Sequence, residues 1–186
     1  MNSDKTATLA DMTETKRAML HQTRPFTQLE PLLHRIYRLA YLAQLAVNFI
    51  LRPETRGAYV AVWLENRVLL IRNSYKSTHT LPCGGIVRGE SPVQAARREL
   101  QEEVGLDLPV GSFRLVWQTV SRAEFKRDRI FLYEVELQEL PGDLQPDGRE
   151  VVWLGFNDVS QALAIPLFAP VRDYLLQTRR CPSGVS

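Results

Sequence analysis

Three glutamates on one helical turn are the most chemically loaded feature of this sequence. Glu99, Glu102 and Glu103 stand at i, i+3 and i+4, which puts three carboxylates on one face. Like charges so placed repel and cost helix stability, and Arg98 alone cannot neutralise them. A Glu-rich turn is ordinarily a solvated face. Otherwise the economical neutraliser is a divalent cation. With no His or Cys beside them, hard oxygen donors favour Mg²⁺ or Mn²⁺ over Zn²⁺. Just upstream, Gly84, Gly85 and Gly89 permit tight turns and close approach of backbone to a ligand. Gly-rich loops before helices commonly serve phosphates. The Lys-Ser/Thr pair of the nucleoside-triphosphatase loop is missing here, so phosphate is expected to be held through metal on the helix.

Loop and helix together, GGIVRGESPVQAARRELQEEVGL at 84–106, resemble the Nudix hydrolase signature, G-x5-E-x7-R-E-U-x-E-E-x-G-U, with U a bulky aliphatic. Gly84, Glu90, Arg98, Glu99, Leu100, Glu102, Glu103, Gly105 and Leu106 fill every fixed position. The order of expected strands, and a Trp-containing strand before a capped helix at 153–157, extend the resemblance over about 57–177. One local departure is Cys83 after Pro82, where such families often have Pro-Gly-Gly-Gly. Cys83 reads as a small packing residue, since nothing nearby would activate its thiol.

The resemblance implies an α/β (α+β) fold, an α/β/α sandwich with a mixed sheet. It also implies metal-dependent hydrolysis of a nucleoside diphosphate linked to another group. Glu99, Glu102 and Glu103 would bind Mg²⁺ or Mn²⁺ and serve catalysis, with the Gly84 carbonyl as a further ligand. Glu90 and Arg98 would orient the loop and helix by ion pairing, with Gly85, Gly89 and Gly105 as structural support. The general base would be one of the signature glutamates or a later acid: Glu124, Asp128 or Glu150. Arg72, Lys76 and Arg88 are the first candidates to meet substrate phosphates, followed by Arg122, Lys126 and Arg127. Tyr75 and His79 could stack on a base or line the pocket. Marks of particular subfamilies are missing: Ser121 stands near the Pro of the ADP-ribose type, and Arg122, Ala123 and Glu124 stand near the Tyr of the dinucleoside polyphosphate type. Neither the coenzyme A motif nor the NADH motif is found. These mismatches disfavour those substrates without naming another.

The elements that must position this site follow from local signals. Ser91 is an expected N-cap with Pro92 in the first turn and Gln94 completing a capping box, and Gly105 suits the left-handed C-cap. Val93, Ala96, Leu100 and Val104 form the expected buried side. Two β-rich runs, 58–64 and 68–71, around the polar break 65–67 read as a hairpin. Residues 80–83 are expected to be extended, and 113–120, 129–137 and 150–156 to be strands. Asn157 is expected to cap a short helix through Ala164, and 170–177 to form the last helix.

Ahead of this domain, 54–178, the sequence changes character. Residues 1–29 read as a poorly ordered or weakly helical leader, and 179–186 as a frayed tail. In 30–53, Leu32, Ile36, Leu39, Ala43, Ala46 and Ile50 recur at helical spacing between Pro31 and Pro53. That helix is expected to pack on its own domain or to make a homodimer. A membrane-surface contact is the lesser reading, suggested by Arg35, Arg38 and Arg52 around an apolar body.

The chain's 186 residues, 45% apolar and 24% charged, have an ordinary globular balance. Net charge is +2, with +3 in residues 1–52 and −1 in the rest. A dedicated nucleic-acid module relying on phosphate neutralisation is usually more basic. The expected partner is therefore a small nucleotide. Two cysteines, Cys83 and Cys181, make no disulfide framework, which fits a reduced, cytoplasmic setting. The alternatives are a nucleoside triphosphate or RNA 5′-end pyrophosphohydrolase, and a non-catalytic sensing module. The module reading ranks low because all three signature carboxylates are present.

Overall fold

The computed structural model describes residues 21–22, 30–139, 144, 146 and 150–178. Most of the expected leader, the tail and Cys181 lie outside them. Of the leader, His21 and Gln22 form a two-residue strand, β1 (His21–Gln22), antiparallel to Gly155 and Leu154 at one edge of the sheet.

The sheet is built around β2 (Glu54–Leu64), whose register with β6 (Arg127–Leu137) is parallel over its whole length, from Glu54↔Arg127 to Leu64↔Leu137. The remaining pairings are antiparallel: β3 (Arg67–Asn73), β4 (Cys83–Gly85), β5 (Arg114–Ser121) and β7 (Val151–Asp158) complete the order β1-β7-β3-β2-β6-β5, with β4 set on β2. The sheet is mixed, as expected. Side chains alternate across it. Ala58, Val60, Val62 and Leu64 of β2 face one core with Tyr133 and Val135, where Ala95, Ala96, Leu100 and Val104 of α2 (Pro92–Val104) cover them. Tyr59, Ala61 and Trp63 face the other core with Ile130 and Leu132, covered by α3 (Val159–Leu163) and α4 (Ala169–Gln177). Helices on both faces make this the α/β/α sandwich.

Local signals fix α2 as read: Ser91 Oγ accepts from the Gln94 amide, Gln94 Oε1 accepts from the Ser91 amide at 2.9 Å, and Gly105 adopts φ 81°. Val93 differs from expectation, being only partly buried, while Ala95 is fully buried. The cap of α3 also differs. β7 runs through Asn157, and Asp158 opens the helix, its amide donating to Gln161 Oε1 at 3.3 Å. Asn157 spends its side chain on the Gly155 carbonyl instead.

The apolar segment forms α1 (Glu30–Leu51). It docks by the side opposite its expected stripe. Asn48, 3% exposed, donates to the Glu124 carbonyl, and Tyr41 donates to Glu124 Oε1 at 3.0 Å. Leu32, Ile36, Leu39, Ala43, Ala46 and Ile50 are exposed. The helix thus docks on its own domain, one of the two expected arrangements, but through its polar side and not through this stripe. Periodicity shows that a helix has an apolar side but not which way that side is turned. Among the described residues no helix is long and apolar enough to cross a membrane.

Candidate active site

The site opens where β2 parts from its neighbours. The C-terminal end of β2 pairs with β3 at Trp63 and Leu64, whereas its N-terminal half pairs with β4 at Gly57, Ala58 and Tyr59. At the β4 end of this divide lies a cavity of about 420 Å³, lined on β2 by Thr55, Arg56, Gly57 and Tyr59. Glu99 and Glu103 of α2 reach it from below β4, Glu150 from the start of β7, and Asp128 from β6. The parallel register sets Thr55 opposite Asp128, and Thr55 Oγ1 donates to its carboxylate at 2.6 Å. Gly57 leaves room there: a Cβ would stand 3.4 Å from Asp128 Oδ2.

Glu103 is 6% exposed and accepts from the Cys83 amide at 2.8 Å. Burial pushes its carboxyl well above the usual range, and the neighbouring Glu150 and Glu99 carboxylates add to the rise. Burial also raises Glu99, against the opposing Arg98 guanidinium. Gly84 is required by this arrangement. A Cβ on it would fall 2.0 Å from Glu99 Cδ and 2.1 Å from one of its oxygens.

Arg98 ties the loop to the helix. It donates from Nε and Nη2 to both Glu90 oxygens, at 3.0 and 3.1 Å, and from Nη2 to the Gly85 carbonyl at 2.9 Å. Its Nη1 reaches Glu99 Oε1 at 2.5 Å and Glu102 Oε2 at 3.2 Å. The hydrogen bonds to Arg98 hold the Glu90 carboxyl below its ordinary value. Burial pushes the Cys83 thiol up, so it stays protonated and is no nucleophile.

Of the residues singled out from sequence, Glu99, Glu103, Gly84, Gly85 and Lys76 line this cavity, with Tyr75, Lys126, Asp128 and Glu150. Glu102 points to solvent with a 59% exposed side chain, and Arg88 is exposed. Arg72, Glu90, Arg98, Gly89 and Gly105 do not line the cavity. His79 stacks edge-on against Trp153.

A second compartment of about 280 Å³ shares Tyr59, Tyr75, Lys76, Thr80 and Cys83 with the first. Its other walls are Phe168, Ser77, Thr78, Glu124 and, from α1, Tyr41. The Tyr41 and Tyr75 rings lie 5.1 Å apart and those of Tyr59 and Phe168 lie 6.0 Å apart. The Lys76 ammonium sits over Tyr41 at 5.5 Å and pairs with Glu124 at 2.8 Å. Burial pulls the Lys76 pKa down, but Glu124 outweighs it and the net shift is upward. Burial likewise raises Glu124, but Lys76, Lys126 and Tyr41 together hold it below its ordinary value. Tyr41, Thr55, Arg56, Gly57, Tyr59 and Asn73 were not legible as site residues. Each arrives through long-range pairing, and no local pattern marks it.

The donor set suits a hard divalent cation. Glu103, buried, and Glu99, partly buried, share the cavity, each carboxyl raised by burial, and neither Glu103 nor Glu150 has an Arg or Lys partner among the hydrogen bonds it makes. A cation would relieve that cost. Among the described residues the acids, thiols and imidazoles do not converge as a ready-made cluster. Glu99 faces the cavity while paired with Arg98, whereas Arg98 draws Glu102 away from it, so a metal held there would gain Glu102 only by a turn of that side chain.

Comparison with known proteins agrees with this arrangement. Over 70 residues the chain is 36% identical to an RNA pyrophosphohydrolase of Bartonella bacilliformis, covering 32% of this chain and 41% of the relative. A second RNA pyrophosphohydrolase, from Bartonella clarridgeiae, is 28% identical over 107 residues, 48% of this chain and 62% of the relative. The chain thus spans less than two thirds of either curated relative. Among solved structures, the MutT protein of Methanosarcina mazei superposes with a TM-score of 0.60 at 19% identity, covering 68% of this chain and 94% of that one. The NUDIX domain of Shewanella oneidensis NrtR, complexed with ADP ribose, gives 0.59 at 18% identity, covering 68% and 86%. These likenesses show the fold. The NUDIX domain family matches residues 53–178, more than half the chain, and the chain belongs to that family.

Proposed function

We propose that the protein hydrolyses a pyrophosphate bond in a nucleoside diphosphate linked to another group, with Mg²⁺ or Mn²⁺ held by Glu99, Glu103 and the Gly84 carbonyl. The observation that carries this reading is two carboxylates in one cavity, Glu103 buried and Glu99 partly buried and seated in a notch that only glycine at position 84 leaves open. Glu102, exposed in this structure, joins them when it turns from Arg98. A bound divalent ion would neutralise phosphate oxygens and lower the pKa of water.

The chain's own residues do the rest. The Cys83 amide fixes Glu103. Arg98 and Glu90 hold the loop so that the Gly84 carbonyl and Glu99 stay adjacent. Lys76, Lys126 and Arg56 supply positive charge along the cavity for the phosphates. The proton of attacking water goes to Glu150 or Asp128, both in the cavity. Glu124 is already committed to Lys76 and Tyr41. The second compartment, with aromatic walls and the Ser77, Thr78 and Thr80 hydroxyls, suits a nucleobase. Of the other expected partners, a second copy or a lipid surface would belong to α1. Cysteine usage supports a cytoplasmic setting.

A second reading, removal of pyrophosphate from RNA 5′ ends, is favoured by the names of the two curated relatives. A panel separates the two: nucleotide sugars, ADP-ribose, dinucleoside polyphosphates, nucleoside triphosphates and 5′-triphosphate RNA, each with and without metal. Turnover of the linked diphosphates supports the first reading, preferred turnover of RNA supports the second, and metal-independent turnover contradicts both.

A further inference from the structure

Helix α1 docks through polar side chains and leaves an apolar stripe turned outward. His34, Tyr41 and Asn48, spaced by seven, lie on the half-buried to buried side, where Tyr41 and Asn48 bond to Glu124. On the opposite side Leu32, Ile36, Leu39, Ala43, Ala46 and Ile50 are spaced strictly by four and three, and all are exposed. The stripe repeats every seven residues, through Leu32, Leu39 and Ala46 and through Ile36, Ala43 and Ile50, as the a and d positions of a helix–helix seam do. In heptad terms the seam occupies the a and d positions, and the residues docked on the chain's own domain occupy f, directly opposite. Leu42 and Val47 flank this seam, Phe49 packs edge-on against Phe125 of the domain, and the eight large apolar side chains between Leu32 and Leu51 are 46–77% exposed.

We propose that this seam pairs antiparallel with α1 of a second copy, about a two-fold axis near Ala43. Several observations select a second copy. The residue sizes are self-complementary about Ala43, as an isologous contact requires. Ala40, Ala43 and Ala46 let the helices approach at the crossing, while Ile36 meets Ile50 and Leu39 meets Val47 on either side. Charge selects the direction. Between Pro31 and Pro53 the chain carries Arg35, Arg38 and Arg52 and no acid. A parallel pair would gather both copies' Arg35 and Arg38 at one end. The antiparallel pair separates them, leaving Arg35 and Arg38 of one copy at the end that carries Arg52 and the Arg127-paired, 72% exposed Glu54 of the other. Helix dipoles also oppose favourably in that direction. The exposed apolar side chains offer on the order of 800 Å² per chain, what one partner buries in a standard stable interface. That exceeds the roughly 300–600 Å² typical of a monomer's largest apolar patch. A lipid surface fits less well, because the polar face that a surface helix keeps in water is here docked on protein. The pairing also has a consequence for the cavity. It backs α1 from outside while Tyr41 forms a wall inside.

The test is sedimentation of the full chain across a dilution series, together with Ala43→Glu and vesicles of phosphatidylserine and phosphatidylcholine. The expected result is a species of twice 21.3 kDa, with Ala43→Glu raising the dissociation constant about 100-fold and leaving the thermal transition of the domain in place. Mixing Ile36→Cys chains with Ile50→Cys chains should give a disulfide between the two that neither variant gives alone. A monomer throughout would overturn the proposal, whether the seam is then covered by residues 1–29 or by vesicles. So would a dimer indifferent to Ala43→Glu, or disulfides formed by each variant alone.

Discussion

At the scale of single residues, the account turns on Glu103 and Gly84. Glu103→Gln keeps an acceptor for the Cys83 amide and removes the charge, so hydrolysis should fall at least about 10-fold, and by up to about 1,000-fold, with the fold intact. The variant should also show the electrostatic cost of the native carboxylate. Its folded-state pKa is raised by burial. Stability is therefore greatest below the unfolded carboxylate pKa and declines as pH rises toward the folded one. In metal-free protein that decline should flatten in Glu103→Gln, which thermal melts across pH would register. Gly84→Ala should cost about 10-fold or more in kcat, because its methyl would occupy the place of the Glu99 carboxylate. Unchanged kcat would mean that Glu99 works from elsewhere. The signature residues were legible in sequence because their spacing is local. Thr55 beside Asp128 was not, because the contact depends on pairing two strands 73 positions apart.

At the scale of elements, α2 was almost wholly readable. Its capping box and left-handed Gly105 are local chemistry, and Ser91→Ala should lower stability by about 1 kcal/mol. α1 was readable as a helix, but the side by which it docks was not. Its docking rests on Glu124, which sits at φ 56° in the short helical turn Ala123–Phe125 and receives Tyr41, Lys76 and Lys126. No sequence pattern announces a carboxylate that holds a helix by its polar side. The Glu124 pKa is depressed, so the stability it contributes is present above the unfolded carboxylate pKa and is lost as pH falls through the folded one. Amide exchange in α1 should accelerate under acid and in Glu124→Gln at neutral pH, with exchange in β2 unchanged. An α1 indifferent to both would contradict this anchor.

At the scale of the whole molecule, the sandwich brings together groups from α2, β2, β4, β6, β7 and α1 that are scattered over more than a hundred residues. The α/β class was legible from strands mixed with helices, and the mixed sheet from the resemblance that the signature carries. The parallel pairing of β2 with β6 was not, because parallel neighbours leave no turn signal between them. If the cavity holds a divalent ion, Mg²⁺ or Mn²⁺ at a hundred times its Kd should stabilise the folded chain by about 2.7 kcal/mol, reversibly with chelator and much less in Glu103→Gln. The measurement that bears most directly on the central claim is hydrolysis of the nucleotide panel by the full chain and by Glu103→Gln, with and without Mg²⁺. The account predicts a preferred pyrophosphate substrate whose turnover needs the metal and collapses in the variant. Full turnover in Glu103→Gln, or turnover indifferent to metal, would contradict it.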